Sequence, residues 1–362
     1  MSCQAFYLNL CVFAVASPVY IFLLPSLPRR HDTSFLERMK SLDWLGMVLT
    51  AGLYCTFTVA FTFGGVLWAY NDGRTIALIV VWVLCTIAFA VTQKYSILTN
   101  PLDRLFPVEF LGDPQLVLLY VIMAAGGAAL FVSIYYIPLY FLFVYGDTGV
   151  QAAVRLLPLV CFYVAGTLFC GAVMSRTGYH MVWFLFSGLC LTAGAACMYT
   201  VTETTPLASI YGYTILVGLG MMTTQAGYSV GNSIVRPSRA AELIQFLNIR
   251  QGSSLLIGLA VASAVFQTQA FGGLQGVLGP LGFSDQEIQT AIAGARSDVL
   301  QHVSEEVRAQ CLSIIVKSIS MCWVLVITAG ALYTLCSLFL THSRWVVKHE
   351  DATDSTSEVQ EA

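Results

Sequence analysis

Charge is what this 362-residue sequence has least of. Only 10% of its residues are Asp, Glu, Lys or Arg and 57% are hydrophobic, against about 25% charged in an ordinary soluble domain. Such a chain cannot cover its own apolar surface, so a water-soluble globule is excluded and lipid must replace water around much of it. The acidic residues and histidines are missing where they would matter most: none of the 20 Asp and Glu, and none of the five His, falls within the long apolar runs. That removes carboxylate and imidazole catalysis at membrane depth. No Walker-type phosphate loop occurs, and no polar stretch is large enough for a catalytic domain. An enzyme is therefore not expected, nor a cofactor. Metal-ligand spacing is absent too. Of eleven cysteines, Cys11, Cys55, Cys85, Cys161, Cys170, Cys190, Cys197, Cys322 and Cys336 lie within apolar runs, where thiols act as small packing groups.

What is present is hydrocarbon-compatible length. In lipid the backbone must satisfy its own hydrogen bonds, which leaves helices or closed barrels, and a spanning helix needs roughly 20 apolar residues. Nine runs qualify: 5–24, 44–68, 75–92, 116–144, 150–173, 181–200, 206–227, 246–267 and 319–341. They are too long for barrel strands, so the fold class is an all-α polytopic membrane protein of about nine transmembrane helices. With the N-terminus outside and the C-terminus cytoplasmic, twelve of the 17 Lys and Arg fall on the inner side: Arg29, Arg30, Arg38, Lys40, Lys94, Arg104, Arg176, Arg236, Arg239, Arg250, Arg344 and Lys348. This is the bias that membrane insertion imposes. Arg74, Arg155, Arg296, Arg308 and Lys317 are left outside. The first run is no cleaved signal, because its positive charges, Arg29 and Arg30, follow it.

Spacing divides the chain into a solitary helix (1–24), a cytoplasmic linker (25–43), a two-helix insertion (44–92), a second linker with Pro101, Pro107 and Pro114 (93–115), a six-helix unit (116–341) and an acidic, polar cytoplasmic tail (342–362). Small residues mark close helix approaches: Gly126, Gly127, Gly166, Gly171, Gly188, Gly194, Gly218, Gly220, Gly258 and Ala262. In the loop 268–318, Ser284 and Glu287 form a capping box, and Ile288, Ile292, Ala295, Val299, Val303 and Val307 follow at helical spacing, which predicts an amphipathic helix at the outer surface. Five polar candidates lie inside the runs: Asn248, Arg250, Gln251, Gln225 and Tyr136. Arg250, with Gln245, Asn248 and Gln251, makes a strip that either looks into a cavity or snorkels to the headgroups. Gln225, beside Thr223 and Thr224, lines a pathway or bonds a neighbouring backbone. Tyr136, sharing a face with Tyr140, is read first as a boundary anchor and second as a cargo contact. Trp44 and Trp68 bracket the second helix as belt residues.

Several stretches together resemble the fourteen-spanner drug:proton antiporter branch of the major facilitator superfamily, especially fungal exporters of toxins and secondary metabolites. Phe6-Tyr7-Leu8-Asn9-Leu10 is similar to that family's sixth helix, with Cys11 in place of its usual Pro. Asp43-Trp44-Leu45-Gly46, Phe63-Gly64-Gly65 and Trp68 resemble the extra seventh helix. Tyr136 to Phe141 and Arg155-Leu156-Leu157-Pro158 resemble the ninth and tenth. Gly218-Leu219-Gly220 with Gln225, Asn248 to Gly252, and Ala291 to Ala295 follow in order. Gly171, Arg176 and Gly178 resemble the second copy of the cytoplasmic loop motif, with Ser175 where the first copy has Asp. The resemblance implies a helical bundle of the major facilitator type that lacks the family's first five helices. It implies proton-coupled export of an amphipathic small molecule from the plasma membrane. The alternative is a truncated, transport-incompetent remnant, or an incomplete gene model, of such an exporter. The expected partners are the lipid bilayer and the cargo, with no nucleic acid, and self-association is open.

Overall fold

The computed structural model describes residues 2–23, 39, 41–64, 68, 71–100, 103–293 and 303–341. Outside them lie Arg29, Arg30, Arg38, Lys40, Gly65, Gly294, Ala295, Arg296, Val299, Arg344, Lys348 and the acidic tail. The chain forms two compact units, Met1–Leu42 and Asp43–Ala362. The first contains α1, Ser2–Pro18, which runs on into a π-helical turn, Val19–Leu23.

The second unit is all helical among the described residues. A hairpin of α2 (Trp44–Phe63) and α3 (Gly73–Tyr95) precedes α4 (Pro114–Val144), the short α5 (Gly149–Val154), α6 (Leu157–Thr177), α7 (His180–Tyr199), α8 (Leu207–Leu219), α9 (Ala226–Ile234), α10 (Ala240–Leu278), α11 (Asp285–Ala293) and α12 (Glu305–Leu338). At its centre α12 packs on α7 and α4, while α10 packs on α4 and α12; α8 sits between α6 and α7, and α2 docks the hairpin onto α10. Seven helical segments are long and apolar enough to cross a membrane. They carry large apolar side chains outward, such as Leu84, Leu168, Phe169, Phe186 and Leu335, an exposure that hydrocarbon tolerates and water does not.

Local chemistry accounts for most boundaries. Asp43, Asp72 and Asp113 cap α2, α3 and α4 by accepting from Gly46, Arg74 and Gln115 N–H groups at 2.7, 2.8 and 2.9 Å, which satisfies donors that a helix start leaves free. Gly178 ends α6 in the left-handed region (φ 75°), its N–H donating to the Met174 carbonyl, as a helix stop requires.

Three spans differ from expectation. Run 206–227 is not one helix: α8 stops at Leu219 and α9 begins at Ala226, with turns between. Run 246–267 is part of a 39-residue helix, roughly 58 Å long at 1.5 Å per residue, against a hydrocarbon core of about 30 Å. The last helix starts at Glu305 rather than near 319, so Arg308 and Lys317 are helical and the outer loop shrinks. Its predicted capping box is present, with Ser284 N–H donating to Glu287 Oε2 at 2.7 Å. α11 buries Ile288, Ala291 and Ile292 on the bundle core.

Candidate functional site

The end of α8, before the break that separates it from α9, is closely packed. A Cβ on Gly218 would stand 2.6 Å from the Leu159 carbonyl oxygen and one on Gly220 would collide with the Leu191 backbone. These glycines therefore let α8 press against α6 and α7. The freed Gly220 carbonyl accepts from Ser187 Oγ at 2.6 Å, and Thr223 Oγ1 bonds the buried Tyr333 hydroxyl. Thr224 bonds the Met221 carbonyl at 2.9 Å and Tyr163 at 3.2 Å. Turn bonds from the Met221, Met222, Thr224 and Ala226 N–H groups to the carbonyls three residues back, together with the Ser187 hydroxyl on Gly220, thus replace the lost helical bonds, the condition for irregular backbone at membrane depth.

Just past this break, Tyr228 of α9 faces α10. Its hydroxyl lies 2.8 Å from Asn248 Oδ1 and 3.2 Å from Gln251 Oε1, so the two amides do share a face, as their spacing predicts. The Arg250 guanidinium is 6.0 Å from the Tyr228 ring centre, within cation–π range. Arg250 does not snorkel: it is only 2% exposed. Its Nη1 donates to the Met123 carbonyl of α4 at 2.8 Å, and neither Nε nor Nη2 has a hydrogen-bond partner. Gly127 makes the approach possible, since a Cβ there would lie 2.6 Å from Ser254 Oγ and 3.4 Å from Nη1. One turn on, Ser253 bonds the Tyr54 hydroxyl of α2. Two arginines fall inside the apolar runs. Arg155 is paired with Asp147 and stacks on Phe141 and Tyr145, whereas Arg250 has no carboxylate partner among the described residues.

The remaining candidates separate. Gln225 is exposed and lines a cleft of about 340 Å³ with Thr167, Gly171, Met174 and Ser175. Gly171 thus faces open space, with nothing near its would-be Cβ, and is not a close-packing residue. Arg176 of the loop motif is exposed and makes no ion pair among the described residues. Tyr136 and Tyr140 are not boundary anchors. They are 1% and 3% exposed, Tyr136 edge-on to Phe266 and Tyr140 donating to the Thr202 carbonyl at 2.8 Å. Tyr136 also borders a cleft of about 260 Å³ lined by Thr58, Thr62 and Ser263. Gln245 leaves the polar strip to donate to the Arg104 and Leu105 carbonyls at 3.1 and 2.6 Å. Tyr54 and Tyr228 join the site unannounced; Tyr228 lies one residue beyond the apolar run that ends at 227.

No protein-family model matches the chain. The chain is 53% identical over 342 residues to the "Efflux pump patC" of Aspergillus clavatus, covering 94% of this chain and 62% of that protein. It is likewise 53% identical over 343 residues to the "MFS-type transporter patC" of Penicillium expansum, covering 94% and 63%. A third relative, 37% identical over 359 residues, is the "Phomenoic acid biosynthesis cluster MFS-type transporter" of Leptosphaeria maculans, covering 94% and 57%. The chain therefore spans less than two thirds of the length of these relatives. Among solved structures, the inward-facing, occupied form of a bacterial homologue of the human lysosomal transporter Spinster superposes with a TM-score of 0.50 at 18% identity, covering 76% of this chain and 62% of that one. The unoccupied form gives 0.50 over 85% and 67%. That likeness gives the fold alone, an all-α helical bundle.

Proposed function

We infer that the chain belongs to the major facilitator transporters and acts in the outward movement of an amphipathic small molecule. The observation that carries this reading is the 53% identity, across 94% of the chain, to proteins named efflux pump and MFS-type transporter. The ordered stretches from Asp43 to Gly252 support the fourteen-spanner branch, with a secondary metabolite or toxin as cargo; the third relative's name ties it to a biosynthetic cluster. In this reading the plasma membrane is the site of action, with the N-terminus outside, the C-terminus inside and the loop motif Gly171, Arg176 and Gly178 on the cytoplasmic face.

Transport of this kind needs no covalent chemistry, only a site that is exposed alternately to the two sides by rocking of helical bundles. A broken helix beside a polar cluster suits that task, because the break lets part of a span move without melting the rest. Asn248, Arg250, Gln251 and Tyr228 form the cargo-facing cluster at the α9–α10 contact. Gln225 and Tyr136 border separate clefts along the path. The proton gradient drives the cycle, as in the branch the sequence resembles. Its coupling group is not a carboxylate of the nine apolar runs, since these contain none.

Expression of the 362-residue chain in a pump-deficient host, with efflux of a fluorescent amphipathic dye followed with and without a proton gradient, tests the reading. Gradient-dependent efflux above the empty-vector rate is expected. A rate equal to the empty vector, with the chain present in the membrane fraction, refutes it.

A further inference from the structure

Removing a cation from water is expensive. Unless a counter-charge or several acceptors replace the lost hydration, a buried guanidinium destabilises the fold that holds it. Two arginines are buried among the described residues, Arg104 and Arg250. Arg104 bonds Glu109 at 2.9 Å. Arg250 has one carbonyl, that of Met123, and its Nε and Nη2 are unsatisfied. Those two nitrogens lie along one edge of the guanidinium, where the N–H bonds run parallel, the edge that takes both oxygens of a carboxylate in a bidentate pair.

We propose that Arg250 is a binding residue for a carboxylate group on the cargo, covered by Tyr228 until the cargo arrives. The proposal rests on the exporter reading and narrows its substrate class to amphipathic monoanions. One unpaired cation stands in the site, so one negative charge neutralises it. The approach is from the α9–α10 side, where Asn248 is exposed and Tyr228 and Gln251 are half-buried. Tyr228 is held there by its hydroxyl's bonds to the Asn248 and Gln251 amide oxygens and by its cation–π contact with Arg250, contacts that a carboxylate pairing bidentately with the guanidinium replaces with a stronger one. Swinging it aside uncovers the free edge. Two turns farther along α10, Ile257, Gly258 and Val261 line an almost wholly apolar cleft of about 260 Å³ with Ala128, Val132 and Leu325, apolar surroundings of the kind that suit the hydrocarbon body of such a molecule.

The test compares 2-naphthoate with its neutral, near-isosteric methyl ester. Equilibrium binding to the full chain in phosphatidylcholine nanodiscs at pH 7.5 is measured, with empty nanodiscs subtracted. Wild type is expected to bind the acid at least about tenfold tighter than the ester. In Arg250→Gln the ratio is expected to fall to about twofold or less, with the thermal unfolding midpoint in the same nanodiscs reporting that the variant is folded. Arg250→Lys, which keeps the charge and loses the fork, retains part of the preference. Equal affinity for acid and ester in wild type overturns the proposal and leaves the exporter reading standing, and so does an undiminished ratio in Arg250→Gln. Binding of neither compound to wild type overturns the proposal and leaves the exporter reading, which the dye-efflux measurement tests, standing.

Discussion

At Gly127 the missing side chain decides where Arg250 can go. Adding a methyl group would put a Cβ 2.6 Å from Ser254 Oγ, and both positions are buried, so neither helix can yield without moving its neighbours. Gly127→Ala is expected to destabilise the bundle by about 1–3 kcal/mol, the usual cost of overpacking a close contact, read as a lower unfolding temperature in detergent. Adding Ser254→Ala removes the colliding oxygen and should recover most of the loss. Additive losses in the double variant would show that the two positions are not coupled. Arg250 itself shows the limit of residue-level reading. An arginine a few residues into an apolar run looks the same in sequence whether it snorkels or is buried; the difference lies in whether α4 presents a carbonyl and a glycine opposite it.

Helical elements here are held at their ends and at their break by single polar contacts. Ser187 Oγ is the donor that satisfies the Gly220 carbonyl after α8 stops. Ser187→Ala leaves that oxygen buried and unpaired, at a cost of about 1–3 kcal/mol. Faster amide exchange in 220–225 than elsewhere in the bundle would locate the effect at the break; unchanged exchange there would refute the role given to Ser187. At α11, hydrogen bonds from Ser284 hold the Glu287 carboxyl below its ordinary range. A carboxylate whose folded pKa is depressed stabilises its element fully above the unfolded value, and the contribution is lost as pH falls through the folded one. Amides at the start of Asp285–Ala293 are therefore expected to exchange faster, relative to their intrinsic rates, as pH drops below the usual carboxylate range. Glu287→Gln should abolish that pH dependence.

For the second unit as a whole, Asp43 ties the α2–α3 hairpin to the linker that follows it. One carboxylate oxygen accepts from Gly46 N–H, and the other from Gln93 Nε2 at 2.6 Å and Leu105 N–H at 3.1 Å. Gln93 Oε1 in turn accepts from Phe106 N–H at 2.8 Å. The same linker reaches α10, because Glu109 pairs with Arg239 at 2.5 Å and Gln245 donates to the Arg104 and Leu105 carbonyls. Asn at position 43 can accept on one atom only, so Asp43→Asn must break part of the knot. A loss of about 1–3 kcal/mol is expected, with protease sensitivity rising first in 93–113. At this scale orientation is also testable. In a cysteine-depleted background, Arg176→Cys is expected to react with a membrane-impermeant maleimide only from the cytoplasmic side. Labelling from outside would invert the topology.

The sequence by itself determined the solvent and the all-helical fold class. Hydropathy acts residue by residue and needs no partner, so a run of about 20 neutral residues declares its surroundings before it folds. The capping box at Ser284 and Glu287 was legible for a related reason, since it is completed within a few residues. The pairing of Asn248 with Gln251 on one face was legible from helical periodicity. Only the tertiary structure decided that run 206–227 breaks, that Tyr136 and Tyr140 turn inward, that Gln245 serves the linker, and that Arg250 is buried against Tyr228 with Nε and Nη2 unbonded. Each of these depends on what a neighbouring helix presents across a gap of a few ångströms. Positions such as Met123 and Gly127 lie more than a hundred residues from Arg250 in the chain, and local pattern contains no information about them.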